Sequence, residues 1–187
     1  MENIEKLKKF VQDKCLKFGE FQLSNAGKSD FYIDGKQLTF DTEGAYLLAE
    51  IIHDRIKDLD VDAIGGIVLG SIPIAVSVSI FSLSKGKSIS PFAVRKDIKS
   101  HGTQSAIEGS VKPGDKVVIV EDVVSTGGSV IESIKKVQEF GGKILLVISI
   151  VDRQKGGKEA IESTGCKYES LLTIDDLEIE IVRKDRQ

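Results

Sequence analysis

Apolar and polar positions along this chain alternate between a helical rhythm and short unbroken apolar runs. Over 42–57, Leu47, Leu48, Ile51, Ile52 and Ile56 recur at the spacing of one helix face, which predicts an amphipathic helix. Residues 63–69 predict a short apolar strand. Residues 73–84 predict a helix with Pro73 in its first turn, where a missing N–H is tolerated. Strands follow at 91–94 and 117–120. Over 129–140, Val130, Ile134 and Val137 share one side, and Gly141 and Gly142 can supply a left-handed cap. Residues 143–151 are then almost continuous Ile, Leu and Val. Such runs mark strands covered on both faces, so the pattern predicts an α/β fold with a central, mostly parallel sheet flanked by helices. An N-terminal helical stretch and a loop around SNAGKSD precede it. No repeat, low-complexity tract or linker divides the chain, and 1–187 reads as one domain.

Composition changes this picture little. Hydrophobic residues at 41% and charged residues at 29% are those of a soluble globular protein, and a net charge of -3 supplies no general field for nucleic acid. Any anion site must be local. Cys15 and Cys166 are too few and too far apart for a disulfide framework or zinc cluster, which reads as a reducing, cytoplasmic setting with both thiols in packing roles. The charged, amphipathic N-terminus does not have the form of a secretory signal. The apolar run VLGSIPIAVSVSIF is about 14 residues, short of the roughly 20 that a membrane helix needs.

Chemistry concentrates in VVIVEDVVSTGGSV, residues 117–130. Ligands of open α/β sheets gather beyond the carboxyl ends of strands, and 121–129 is expected there as the connection into the next helix. Gly127 and Gly128 make backbone N–H groups approachable. Ser125, Thr126 and Ser129 add hydroxyls, and the helix start adds the positive end of its dipole. That is a phosphate cradle, yet Glu121 and Asp122 would repel a bare phosphate. The combination makes sense for a sugar phosphate whose hydroxyls meet the acids. A Walker A loop is excluded because Gln22 and Phe81 occupy the positions where the first Gly would precede the two GKS tripeptides, and no GxGxxG is present. A strand, polar turn and capped helix without any ligand is the competing reading.

The stretch EDVVSTGGS resembles the binding signature for phosphoribosyl pyrophosphate (PRPP) in the type I phosphoribosyltransferases. A second block, RKDIKSHGTQSAIEG, packs Arg95, Lys96, Lys99 and His101 into seven positions and resembles the RKExKxHG…IEG loop of orotate phosphoribosyltransferases, with Asp97 in place of Glu. LKFGEFQL, KSDFYID, VDRQKGG and LLTIDDL match that family in the same order. The resemblance implies a type I phosphoribosyltransferase fold with a small N-terminal hood and a flexible catalytic loop. It implies a pentosyltransferase that converts orotate and PRPP, with Mg2+ held mainly through PRPP, into orotidine 5-monophosphate and pyrophosphate during pyrimidine synthesis.

By the same resemblance, 125–129 hold the 5-phosphate beside Val123 and Val124, and Glu121 and Asp122 hold the ribose hydroxyls. Arg95, Lys96, Lys99 and His101 meet the pyrophosphate. Lys99 and His101 serve the neighbouring subunit of a homodimer, with Arg95 and Lys96 at the interface. Lys99, His101 and Asp122 are the expected catalytic residues. Arg153 of DRQ and Ser125 are expected at the orotate carboxylate, with Phe31 and Tyr32 near the ring or simply in the core. The competing reading of Arg153 pairs it with Asp152 or a helix end. The loop after the first core strand, GGIVLGSIPIA, resembles the family's pyrophosphate loop through Gly70 and Ser71 but has no Lys. Ser24 stands where many members have a basic residue, and Lys28 is the candidate replacement. His53 is expected at a surface or boundary without chemistry. Two other readings stay open: a purine phosphoribosyltransferase sharing EDVVSTGGS, and a ligand-sensing regulator that has kept the PRPP site.

Overall fold

A computed structural model describes residues 2–23, 27–96 and 106–185. The chain begins with α1 (Glu2–Phe10), a π turn at Val11–Cys15, and the antiparallel hairpin β1 (Leu16–Leu23) and β2 (Gly27–Ile33). The short α2 (Lys36–Thr39) and long α3 (Thr42–Ile56) lead into β3 (Ala63–Ile67), α4 (Ser71–Ser84), β4 (Ser90–Val94) and β5 (Ile107–Gly109). Then come β6 (Lys116–Val124), α5 (Gly128–Phe140), β7 (Lys143–Asp152), α6 (Gly157–Glu162), β8 (Tyr168–Thr173) and α7 (Ile179–Asp185). The main sheet runs β5-β4-β3-β6-β7-β8, parallel except for β5, which pairs antiparallel with β4.

Strand alternation divides the core into two layers. Val118, Val120, Leu146 and Ile148 face a cluster with Leu48, Ile52, Ile74 and Val78 of α3 and α4. Val117, Ile119 and Val147 face Val130, Ile134 and Val137 of α5 and Ile161 of α6. This is the two-sided burial that continuous apolar strands require, each fully covered side chain contributing roughly 1.5–3 kcal/mol. Asp41 caps α3 by accepting from the N–H groups of Glu43 and Gly44, both at 3.0 Å. At the other end of α5, Gly141 adopts φ 97° and closes the helix as its position in the sequence predicts.

Four expectations shift. The helix anticipated at 73–84 starts at Ser71, and the strand anticipated at 117–120 runs on to Val124. Glu121 and Asp122 therefore lie within β6 rather than in the loop beyond it, because Val123 and Val124 keep the ladder with β7 intact. IEG forms β5, an edge strand held by β4, where the sequence suggested only polar loop. His53 is buried between α3 and α4, its Nδ1 2.9 Å from the Ser82 hydroxyl and its ring edge-on to Phe81. A histidine with one partner and an aromatic neighbour can be buried neutral, and burial lowers its pKa.

Candidate active site

Strands β6 and β7 end level with each other, Val124 opposite Asp152, and the Arg153 N–H donates to the Val124 carbonyl at 2.8 Å. That register delivers Ser125 and Arg153 side by side. Two cavities meet at them. One, of about 490 Å³, is lined by residues 121–130, Gln22, Tyr32, Ile33, Lys36 and Arg153. The other, of about 690 Å³, is lined by Glu20, residues 28–31, Ser125, Arg153, Lys155 and Ile174. The structure thus brings Glu121, Asp122, Val123, Val124, Ser125, Thr126, Gly127, Gly128 and Ser129 around a single space.

The turn from β6 into α5 is shaped by glycines. Gly127 sits at φ 81°, a conformation that disfavours any side chain, and its N–H borders Gly157 at the start of α6. A Cβ on Gly157 would lie 2.6 Å from the Ser125 carbonyl and 2.5 Å from Val124, so the second Gly of VDRQKGG lets α6 support the loop from below. Past Gly127 the first N–H groups of α5 have no intrahelical acceptor and point, with the dipole, into the cavity mouth. The arrangement can take a phosphate through backbone donors and the hydroxyls of Thr126 and Ser129.

Above it, the acids differ. Glu121 is 7% exposed, and burial first, then the neighbouring Asp122, push its carboxyl well above the ordinary range, while Lys96 acts in the opposite direction. Two carboxylates this close do not ionise together easily. Asp122 is partly exposed, accepts from the Val123 N–H at 2.8 Å, and is clasped between two glycines. A Cβ on Gly35 would lie 2.8 Å from its Cβ, and one on Gly70 2.7 Å from its Oδ1. The turn after β3 and the start of α2 therefore close on Asp122 from two sides. Burial thus favours the neutral form of Glu121, whose O–H can donate to a sugar hydroxyl, while the partly exposed Asp122 offers acceptor oxygens beside it.

Arg153 lies at the junction of the cavities, 8% exposed, its guanidinium 5.1 Å above the Phe31 ring and donating to the Ser29 hydroxyl at 3.4 Å. Among the described residues no carboxylate pairs with it. Asp152 instead accepts from the Gln154 N–H, so the alternative Asp152 pairing does not form. The Arg153 Nε and the Ser125 Oγ are buried without hydrogen-bond partners among the described residues. A buried, unpaired guanidinium is costly unless an anion completes it, and these two groups face the same spot. Tyr32 lines the first cavity and pairs with Phe21 at 5.6 Å, while Phe31 lines the second. Lys28 joins Arg153 in the wall of the second cavity.

Other expected residues lie elsewhere. Arg95 pairs with Glu108 of β5 at 3.1 Å, and neither it nor Lys96 lines either cavity. Their carbonyls both accept from Lys136 of α5 at 2.7 Å. Lys99, His101 and Ser24 fall outside the described residues. Ser71 turns its hydroxyl inward to the Ile67 carbonyl at 2.7 Å. Cys15 is fully buried with its thiol pushed up to about 12, first by burial and then by Asp34, and Cys166 is also buried, so both are packing residues. Sequence reasoning missed Lys36 and Gln22 in the first cavity, although Lys36 directly follows the YIDG of a segment already singled out.

A mostly parallel sheet with a glycine-shaped, donor-rich turn between β6 and α5 is the frame of a phosphoribosyl transferase domain, and the family model of that description matches residues 38–175. The orotate phosphoribosyltransferase of Aquifex aeolicus is 40% identical over 92% of this chain and 96% of its own length, and that of Methanocaldococcus jannaschii 44% identical over 88% and 90%. The crystal structure of the Mycobacterium tuberculosis orotate phosphoribosyltransferase with Fe(III) dicitrate superposes with a TM-score of 0.83 at 34% identity, covering 94% of this chain and 99% of that one. The same enzyme crystallised with PRPP superposes at 0.77 with 29% identity, covering 95% and 92%. This chain belongs to the orotate phosphoribosyltransferase family.

Proposed function

We propose that this protein transfers the ribose 5-phosphate of PRPP to orotate, releasing pyrophosphate and giving orotidine 5-monophosphate in UMP synthesis. The observation that carries this reading is the junction of two cavities at Ser125 and Arg153: a phosphate-and-diol site on one side, and on the other an aromatic-floored site with a buried guanidinium lacking a counter-ion. Orotate is flat and carries one carboxylate, which suits the second. The names of the relatives agree.

Displacement at C1 of the ribose builds positive charge on the sugar and negative charge on the leaving group, so the protein's work is placement and electrostatics. The loop 125–129, with Val123 and Val124, anchors the 5-phosphate. Glu121 and Asp122 hold the 2- and 3-hydroxyls and fix C1 at the mouth of the orotate cavity. Arg153 and Ser125 bind the orotate carboxylate, and Phe31 supports the ring. Arg95, Lys96, Lys99 and His101 are assigned to the pyrophosphate, Lys99 and His101 reaching the site of a second subunit. A cation whose contact tightens as pyrophosphate departs favours the transition state over the ground state.

Among the described residues no group of three or more His, Cys, Asp or Glu could cage a metal. Mg2+ is usually bound by one or two carboxylates with substrate phosphates and water, a demand that Asp122 and PRPP together fit. Bound there, Mg2+ would neutralise charge on the departing pyrophosphate. A homodimer is favoured by an exposed apolar row on α4, where Ile80 is 67% and Leu83 65% exposed, beside Tyr46 of α3. One domain spanning 1–187, in the cytoplasm, completes the proposal; no helix among the described residues is long and apolar enough to cross a membrane.

The test is loss of orotate absorbance with PRPP and Mg2+, with adenine, hypoxanthine and uracil in parallel. Turnover of orotate alone is expected. Turnover of another base instead would overturn the specificity assigned to Arg153, and PRPP binding without turnover would favour a regulator.

A further inference from the structure

The first cavity is short of positive charge for the ligand proposed to fill it. PRPP carries a phosphate and a pyrophosphate, and the wall contributes Glu121 and Asp122 as acids. Only Lys36 and Arg153 among its lining residues are cations, and Arg153 is turned toward Ser29 and Phe31 on the orotate side. The turn following β3 has backbone but no basic side chain between Ile67 and Ile74.

Orientation of the sugar decides where the remaining cation must stand. The C5 and C1 substituents leave opposite ends of a ribose ring, with the hydroxyl edge between them. If 125–129 hold the 5-phosphate and Asp122 a hydroxyl, the C1 substituents point away from the phosphate loop. The incoming base approaches one face of C1 from Arg153, so the leaving group occupies the other. The elements that close on Asp122 there are Gly35 and Gly70, and Lys36 follows Gly35 at the start of α2.

Lys36 is poised rather than committed. Its Nζ lies 3.2 Å from Asp34 Oδ1, yet that oxygen makes no hydrogen bond among the described residues, whereas Oδ2 accepts from Lys17 at 2.9 Å and Gln37 at 3.2 Å. Asp34 Oδ2 thus has partners of its own, and the ion pair at Oδ1 holds the Lys36 ammonium from one side, leaving it further hydrogens for a ligand. The side chain is 44% exposed, open to the cavity but backed by the hairpin. Burial opposes its charge, but Asp34 and, more weakly, Asp122 outweigh this and keep the ammonium protonated above its ordinary range.

We infer that Lys36 is a PRPP-binding residue that contacts the pyrophosphate group, supplied by α2 of the same subunit and independent of the basic run after β4. This deepens the proposed phosphoribosyl transfer and rests on it for the orientation of the sugar. Lys17 and Gln37 are its positioning partners through Asp34.

The experiment compares the full-length parent with Lys36→Met and Lys36→Arg, titrating each by calorimetry with magnesium pyrophosphate and separately with ribose 5-phosphate, alongside KM for PRPP and for orotate. For Lys36→Met, pyrophosphate affinity should fall and KM for PRPP rise by roughly tenfold or more, the scale of one charge-assisted hydrogen bond. Ribose 5-phosphate affinity and KM for orotate at saturating PRPP should stay within about twofold. Lys36→Arg keeps the charge and should recover most of the loss, which also decides the matter should the Met variant fold poorly. Equal weakening of pyrophosphate and ribose 5-phosphate, or no change in either, would overturn the assignment and leave Lys36 a counter-ion of Asp34. A parent that binds pyrophosphate through Lys36 but does not turn over orotate would uphold Lys36 and remove the orotate reading. Normal orotate turnover by an unaffected Lys36→Met does the reverse.

Discussion

The two walls of the phosphoribosyl cavity are built on opposite plans. The floor is one contiguous stretch, 121–130, in which strand, turn and helix start follow without interruption and the backbone supplies the donors. The opposite wall, Gln22, Tyr32, Ile33 and Lys36, comes from a hairpin and a one-turn helix attached to the sheet by side chains. Arg183 of α7 holds Asp30 at 2.7 Å and lies over Phe18, and Gln12, ahead of the hairpin, donates to the Leu177 carbonyl beyond β8 at 3.1 Å. A backbone-built floor resists single side-chain substitutions along its turn but not at Asp122, whose charge no backbone N–H can replace. A side-chain-built wall loses its functions one at a time.

The largest effect is therefore expected at Asp122. Asp122→Asn keeps the shape between Gly35 and Gly70 but removes the charge proposed to accept from a ribose hydroxyl and to join in holding Mg2+. A loss of kcat/KM of about a hundredfold, roughly 3 kcal/mol, should appear equally with PRPP or orotate as the varied substrate. Rates within a few-fold of the parent would remove the acid from the floor's function.

Next comes Arg153→Met, which sharpens the division between the cavities. KM for orotate should rise about 30-fold, near 2 kcal/mol for a lost charge-assisted contact, while PRPP binding changes little. Stability should hold or improve, because a buried guanidinium without a carboxylate partner is replaced by an apolar chain of similar length. Equal weakening of PRPP would show the two cavities to be one functional unit.

Legibility from sequence follows the same division. The parallel sheet, the helix faces and the glycine-shaped turn at 125–129 could be read because each depends on local periodicity or on adjacent glycines. The end of β6 could not, since the strand's extension through Glu121 and Asp122 is imposed by pairing with β7, a long-range contact. Lys36 was hidden for a similar reason: the segment before it points to the aromatic ring of Phe31 on the second cavity, and only the contact of Gly35 with Asp122, far along the chain, brings Lys36 to the first. His53 shows the limit of residue type as a guide, its burial depending on Ser82 and Phe81 from another helix.

A smaller effect is expected from Lys136→Met. This residue ties α5, which rises from the phosphate loop, to the carbonyls of Arg95 and Lys96, and pairs with Glu132 at 2.5 Å. Losing one half-buried and one exposed contact, of about 1 kcal/mol or less each, should raise KM for PRPP about fivefold, with KM for orotate unchanged. A matching change in orotate KM would show that the link serves general stability rather than the anionic end of the site.

The smallest change, and the finest division of the floor, concerns Glu121→Gln. Burial, then Asp122, raise the folded-state pKa of Glu121 above its unfolded value. A raised folded pKa means that its contribution to stability is complete below the ordinary carboxyl range and is lost as pH rises through the raised value. Glutamine reproduces the neutral, hydrogen-bond-donating form at every pH. The variant should match the parent in Tm near pH 5 and gain on it progressively toward pH 9, with PRPP affinity near pH 6 within about threefold of the parent's. A Tm difference constant across that range would mean that Glu121 keeps its charge in the fold, and the donor half of the diol site would then have to come from water or from the ligand itself.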